Sequence, residues 1–196
     1  MEIVKLEAQK REQIGKKATK AVRNGNLVPC NLYGGGDNIS FTVEYNPLKK
    51  GIYTDKFKVF EISIDGQVKK AIVKEIQFHP VNDSMIHIDF QELTAGKKVK
   101  TEIPLIAKGF SKGQQAGGKL EIKLRKIKIK ADADNIPTFV EVDVTPLELG
   151  KSLRVRDIIT NGWEILNAPA IPIISISIPR ALRSAQTAAA AAAGGK

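Results

Sequence analysis

The chain has 196 residues, of which 42% are apolar, and it carries a formal net charge of +10 with a pI of about 9.6. This length suits one large or two modest domains with packed cores, and the apolar content excludes wholesale disorder. The excess of cations predicts a polyanion as partner and says nothing about the fold. One cysteine excludes an internal disulfide, and one cysteine with two histidines is too few for a structural zinc site of the usual ligands.

Targeting and membrane signals are not found in the sequence. The N-terminus alternates charged and apolar residues, so it holds no signal-peptide hydrophobic region. No apolar run approaches the ~20 residues that a membrane-spanning helix needs. We therefore expect a soluble cytosolic protein without a membrane partner.

Alternation of apolar and polar residues predicts short strands in the first half of the chain. The segments with this pattern are residues 4–8, 39–45, 60–64 and 85–90, and residues 68–76 are expected to return as the second strand of a hairpin. Residues 27–33 form a further strand-like segment, in which Pro29 predicts an edge strand or a bulge. Asp65-Gly66 is a strong hairpin signal.

Two short helices are expected between these strands, one in the basic segment after Gly15 and one starting at Asn46-Pro47. Six or so antiparallel strands within residues 1–93 predict a small, closed or nearly closed antiparallel β-barrel with short helices.

The second half of the chain has further strand signals and predicts an independent antiparallel β domain over residues 94–180. In residues 120–129 the apolar side chains change parity, which predicts a bulge at Arg125-Lys126. Residues 181–196 end in a low-complexity run of alanine and glycine, which we expect to be a flexible tail. The predicted fold class is mainly β with small helices.

Residues 10–23 are the most informative segment because they hold six basic residues and one acid. Helical spacing puts Lys16, Lys20 and Arg23 on one face and Ala18, Ala21 and Val22 on the other. Such a helix can pack on a core and still present cations to a polyanion. For a charge run alone, a solvated helix face is the simpler interpretation.

His87 and Asp89 are predicted on one face of a strand together with Met85, while Ile86, Ile88 and Phe90 point to the core. A base with its orienting carboxylate is one interpretation, but no serine is evidently placed for it. Recognition of RNA is the better of the two, because Asp89 can accept hydrogen bonds from base amino groups or 2′-hydroxyls and His87 can donate to a phosphate or ribose. From spacing alone, a structural surface pair is the simplest interpretation.

Two segments come close to a phosphate-binding loop. Residues 113–119 match G-x-x-x-x-G-K, but Leu120 replaces the hydroxyl residue that follows. Gly150-Lys151-Ser152 has the end of the motif, but Thr145 stands in place of its first glycine. Neither precedes a convincing long helix, so both are predicted to be turns.

A second basic region covers residues 96–130, with eleven Lys or Arg against Glu102 and Glu121. It fits a nucleic-acid contact and a strand edge protected by lysines equally well.

Several motifs in order resemble the bacterial large-subunit ribosomal protein twenty-five family, of the general-stress Ctc type. They are Arg11-Glu12-x-x-Gly15-Lys16, the basic helix to Arg23, Pro29-x-x-x-Tyr33-Gly34, His79-Pro80, His87-Ile88-Asp89-Phe90, Gly117-Gly118, Ile136-Pro137, Val142-Asp143-Val144 and Gly150-x-Ser152-Leu153. The resemblance covers residues 2–179 and the two-domain form of the family.

The resemblance implies a structural protein of the cytoplasmic ribosome that binds 5S ribosomal RNA through its N-terminal barrel and contacts other components of the large subunit. We expect no enzyme activity, cofactor, metal, small-molecule substrate or obligate homo-oligomer. The RNA-contacting positions that it implies are Arg11, Lys16, Thr19, Lys20, Arg23, Tyr33, His87 and Asp89.

Departures from the family pattern affect single contacts. Lys20 stands where arginine is frequent and replaces a bidentate fork with a point charge. Cys30 and Asn31 replace small or aliphatic residues. Alternative functions are a free tRNA- or RNA-binding accessory or stress protein, and a small hydrolase that uses His87, Asp89 and Cys30.

Overall fold

A computed structural model describes residues 2–160 and 162–180, which form two compact units of mainly β structure. The first unit comprises the chain up to Thr101 with Lys130–Thr138, and the second comprises Glu102–Ile129 with the chain from Phe139 on. The mainly β class with small helices is confirmed. The domain ranges 1–93 and 94–180 remain predictions, and the tail predicted for residues 181–196 lies outside the described residues.

The first unit is built on six strands and two helices. They are β1 Glu2–Lys10, α1 Lys16–Asn24, β2 Leu27–Tyr33, β3 Ile39–Glu44, α2 Tyr45–Ile52, β4 Lys58–Ile64, β5 Gln67–Phe78 and β6 Met85–Glu92. The strands close into a barrel in the order β1-β3-β2-β6-β5-β4. The predicted six-stranded barrel with short helices is therefore confirmed.

The pairing within the barrel is mixed, so the prediction of antiparallel strands throughout is wrong. β1 runs parallel to β4, and β2 runs parallel to β6, while the other four pairs are antiparallel. Alternation within one strand does not encode the direction of the strand beside it.

The expectation of an edge strand or bulge at Pro29 is also wrong, because β2 has a neighbour on each side; Pro29 lies just before the residues that pair with β6.

Aromatic and aliphatic side chains fill the barrel. The ring centroid of Phe90 lies 5.9 Å from that of Phe41 and 5.6 Å from that of Phe60. Ile88 and Phe90 of β6 are both completely buried. Because strand side chains alternate, this burial directs His87 and Asp89 to the outer wall of the barrel.

The first residues of β6 depart from the predicted alternation. Met85 is buried in the barrel core and Ile86 is half-buried, the reverse of the prediction for these two residues. The pairing of β5 with β6 shifts register between Gln77 and Phe78, which face this part of β6. Such an irregularity changes which side of the sheet a residue faces, so parity counted from the sequence fails there.

The remaining elements follow β6 along the chain. They are β7 Lys98–Lys108, α3 Lys112–Gln115, β8 Lys119–Ile122, β9 Lys126–Asp132, β10 Val140–Asp143, β11 Ser152–Arg154, a 3-10 turn Val155–Asp157, β12 Glu164–Ile165 and β13 Pro172–Ser177. They form a four-stranded sheet of order β10-β7-β9-β12 and a three-stranded sheet of order β11-β13-β8. The all-antiparallel prediction is wrong here too, because β10 and β7 are parallel.

The predicted bulge at Arg125-Lys126 is a crossing between sheets. β8 belongs to the three-stranded sheet and β9 to the four-stranded sheet, and the three residues between them are not in a strand. The change of apolar parity therefore marks the point where the chain passes from one sheet to the other.

Replacement of Phe90 should weaken the barrel selectively. We expect Phe90→Ala to lower the free energy of unfolding by about 3–5 kcal/mol, because the cavity lies between Phe41 and Phe60. Phe110→Ala is the matched control, since that ring is 58% exposed. Urea unfolding followed by far-UV circular dichroism measures both, and equal losses would contradict this account of the core.

Candidate nucleic-acid interface

A row of polar residues crosses the outer wall of the barrel. Asn31 on β2 pairs with Ser40 on β3 and with Asp89 on β6, and Asp89 pairs with Glu75 on β5. The hydroxyl of Ser40 donates to Oδ1 of Asn31 at 3.1 Å. The backbone N–H of Arg11 donates to the Ser40 carbonyl at 2.8 Å, which places Arg11 at one end of the row. Directly paired residues have neighbouring side chains, so the row is a continuous hydrogen-bonding surface.

His87 and Asp89 lie side by side on this wall. Nδ1 of His87 is 3.4 Å from Oδ1 of Asp89, and the two side chains are 21% and 28% exposed. Gln77 of β5 pairs with His87 and adds an exposed amide beside the imidazole. The three side chains offer both donors and acceptors from positions that the buried face of β6 holds fixed.

Helix α1 supplies the cations. It begins after Gly15, whose φ of +131° strongly favours glycine, and it packs on β2. Lys16, Lys20 and Arg23 are exposed, as the helical spacing predicts. The inner face differs from the prediction, because Thr19 is half-buried and Ala21 is exposed. Thr19 takes the inner position because its hydroxyl has partners there.

Side-chain hydrogen bonds hold both ends of α1. At the start, Nη2 of Arg11 donates to Oγ1 of Thr19 at 3.1 Å, and that hydroxyl donates to the Gly15 carbonyl at 2.8 Å. At the end, Nε of Arg23 donates to the Ile86 carbonyl at 3.2 Å, one residue before His87. The helix is therefore tied to the barrel wall beside the polar row, and Thr19 acts by positioning Arg11.

Tyr33 lies at the end of β2, half-buried beside the glycine turn. Burial, together with the carboxylates of Asp89 and Glu75, raises the pKa of the Tyr33 phenol above its ordinary value, which already favours the protonated form at neutral pH. A Cβ added at Gly35 in the turn would clash with the Glu92 carboxyl group, so glycine allows this close approach. The phenol is thus a hydrogen-bond donor near the polar row.

The structure brings several of the eight predicted residues into direct contact. Arg11 touches Thr19 and His87 lies against Asp89, while Lys16 and Lys20 reach solvent from α1. Sequence reasoning missed the rest of the row, which consists of Ser40, Asn31, Glu75 and Gln77. Their outward positions in alternating strands are a signal, but the register that aligns them is not local in sequence.

Cys30 is separated from the imidazole and carboxylate. It is completely buried in the barrel and pairs with Ile88, whereas His87 and Asp89 lie on the outer wall. Burial raises the pKa of its thiol, and the charge of Asp89 raises it further. A neutral thiol inside the core cannot act as a nucleophile, so this geometry argues against the hydrolase alternative.

The segment of residues 113–119 is a packed turn. Its helix, α3, has four residues and is capped by the buried Ser111 hydroxyl, which accepts from the Gln114 N–H. A Cβ on Gly118 would lie 2.6 Å from Leu149 and 2.5 Å from Ile176. The glycine is therefore explained by close packing, and the fold gives no cradle for a phosphate.

Two further structural findings bear on the class of site. Within the described ranges, no three His, Cys, Asp or Glu side chains are grouped to hold a metal ion. The helices of those ranges are all too short or too polar to cross a membrane.

The geometry defines a basic β-barrel domain with a cationic helix fixed to its wall. The model of the Ribosomal L25p family matches residues 6–90, and that of the ribosomal protein TL5 C-terminal domain matches residues 98–180. The large ribosomal subunit protein bL25 of Porphyromonas gingivalis is 38% identical over 187 residues, 94% of this chain and 97% of that protein. Proteins of the same name from Parabacteroides distasonis and Cytophaga hutchinsonii are 39% and 38% identical over 95% and 97% of this chain.

The chain therefore belongs to the Ribosomal L25p family, in the form that also has a TL5 C-terminal domain. The family resemblance inferred from the sequence is confirmed.

The packed turn predicts the effect of two neighbouring substitutions. Gly118→Ala should lower the free energy of unfolding by about 1–3 kcal/mol, because the added methyl overpacks Leu149 and Ile176. Lys119→Ala should change it by less than about 0.5 kcal/mol, since this lysine is exposed. Fluorescence of Trp163 during urea unfolding reports on both variants. A neutral Gly118→Ala would contradict the packing explanation.

Proposed function

We propose that this chain is a structural component of the large ribosomal subunit that binds 5S ribosomal RNA through its N-terminal barrel. The ribosomal role follows from membership in a family of ribosomal proteins rather than enzymes. The observation that supports RNA as the ligand of the barrel is the cationic helix tied at both ends beside a polar row. On this proposal the protein works on the cytoplasmic ribosome.

The helix gives affinity. Lys16, Lys20 and Arg23 lie on one exposed side of α1 and can neutralise successive phosphates of one RNA strand. Arg11 contributes at the start of the helix, where its guanidinium is held by Thr19. Because these groups meet only the backbone, their contribution depends little on RNA sequence.

The polar row gives selectivity. A carboxylate among cations opposes phosphate binding, so Asp89 and Glu75 favour a ligand that offers hydrogen-bond donors. Base amino groups and ribose 2′-hydroxyls are such donors, and both are reachable in the shallow minor groove of RNA. His87, Gln77 and Tyr33 add groups that donate to phosphate, ribose or base edges.

A free tRNA-binding accessory protein remains the alternative. It would use the same helix and row on another folded RNA, so affinity for tRNA relative to 5S RNA separates the two. Catalysis is not part of the proposal.

Asp89→Asn should lower discrimination, whereas Arg11→Ala should lower affinity for every RNA. The amide keeps the size of Asp89 but replaces an acceptor with a donor, so we expect preference for 5S RNA over an unrelated duplex to fall about tenfold or more. Arg11→Ala should weaken both complexes to a similar degree. Filter binding to both RNAs measures the ratio, and equal losses for Asp89→Asn on both would remove its recognition role.

The helix cations should also appear in the salt dependence of binding. If about six phosphates are neutralised, log affinity should fall with log salt at a slope of roughly −4 to −5. Lys20→Gln should make this slope less steep by about 0.7–0.9. Lys49→Gln, an exposed change on α2, is the matched control and should leave it unchanged. Identical slopes for all three proteins would argue against α1 as the phosphate-binding element.

A further inference from the structure

The second unit concentrates its excess positive charge in one segment. Residues 119–128 carry five exposed cations and one acid, and we call this segment the basic strip. Its cations are Lys119, Lys123, Arg125, Lys126 and Lys128. The rest of the described unit carries six Lys or Arg and six Asp or Glu, so outside the strip its charges balance.

Backbone hydrogen bonds fix the strip where it crosses from one sheet to the other. The N–H groups of Lys123 and Leu124 both donate to the Ile173 carbonyl, at 2.8 and 3.1 Å. The Leu105 N–H donates to the Arg125 carbonyl at 2.9 Å. Ile127 is completely buried and anchors the end of the crossing. The cations therefore extend from a rigid backbone.

Protection of a strand edge explains only part of the strip. β8 is an edge strand of its sheet, so Lys119 fits that role. β9 lies between β7 and β12. Both backbone groups of Lys128 are hydrogen-bonded: its N–H donates to Oδ1 of Asn167 at 2.7 Å, and its carbonyl accepts from the Leu166 N–H at 2.9 Å. Lys128 therefore has no open edge to protect, so edge protection does not account for all the cations of the strip.

Ion pairs neutralise little of the positive charge of the strip. Lys123 pairs with Glu121 at 2.6 Å, and Lys128 lies 3.8 Å from Glu102, with both pairs open to solvent. Exposed pairs of this kind are weak, so these lysines can exchange the carboxylate for another anion. Within the described ranges, Lys119, Arg125 and Lys126 form no ion pair.

We propose that the basic strip is a second RNA-binding surface, which contacts the phosphate backbone without reading sequence. The cations lie along β8, the three-residue crossing and the start of β9, so they can meet several phosphates of an RNA backbone. Both acids near the strip are paired with one of its lysines, whereas the polar row on the barrel presents the carboxylates of Asp89 and Glu75. A strip whose nearby carboxylates are already paired fits contact with the phosphate backbone rather than recognition of bases. None of its residues belongs to the proposed 5S RNA site.

The test removes the three cations without ion pairs from the full chain. In the variant Lys119→Gln, Arg125→Gln, Lys126→Gln, the salt slope for binding an unrelated 30-base-pair RNA duplex should become less steep by roughly 2–3, at about 0.7–0.9 per phosphate. The control is Lys112→Gln, Lys151→Gln, Arg180→Gln, which removes three exposed cations of the same unit outside the strip. It should leave the slope unchanged. Thermal unfolding followed through Trp163 checks that both variants fold.

Repeating the salt-slope measurement in a protein that also carries Arg11→Ala and Lys20→Gln separates RNA binding by the strip from RNA binding by the barrel. The loss of slope from the strip variant should persist there, and it should persist even if the barrel proves not to prefer 5S RNA. The proposal is overturned if the strip variant keeps the parental slope, as expected if the strip instead binds an acidic protein. Equal losses for strip and control variants would overturn it as well, because the effect would then be one of net charge.

Discussion

Closure of the six-stranded barrel is the constraint on which the candidate interface depends. Closure gives β6 a neighbour on each side, β2 in parallel and β5 antiparallel, and leaves only one wall of the strand facing solvent. The complete burial of Ile88 and Phe90 then fixes the outward direction of Asp89. A one-residue slip would exchange the two sets of side chains, so core packing protects the site from misalignment.

The helix depends on the same wall. Its inner face is small and half-buried, and no residue of α1 is fully buried, so apolar packing alone holds it weakly. The hydrogen bonds from Arg11 to Thr19 and from Arg23 to Ile86 supply the missing constraint. In both, an arginine uses one nitrogen for structure and keeps other donors of its fork, a division that lysine does not offer with the same geometry.

Much of the barrel could be predicted from its sequence because alternation reports burial directly. Alternation predicts the strands and the common face of His87 and Asp89, while helix-start and hairpin residues predict the two small helices and the Asp65-Gly66 turn. Strand direction, the burial of Met85 and the separation of β8 from β9 were not predicted. Each depends on pairing with a distant segment, which local periodicity does not record. For the same reason, the alignment of Asn31 with Asp89 and Glu75 could not be predicted from the sequence.

The two basic surfaces differ in the acidic groups that lie near their cations. On the barrel, the wall to which the helix is tied carries the carboxylates of Asp89 and Glu75, which oppose phosphate binding and favour hydrogen-bond donors. On the basic strip, the two nearby acids are already paired with Lys123 and Lys128. A surface with opposing carboxylates discriminates among RNAs, whereas a surface with cations alone binds any phosphate backbone. On the proposals made above, the barrel therefore selects the RNA, and the strip contributes affinity that rises as the salt concentration falls.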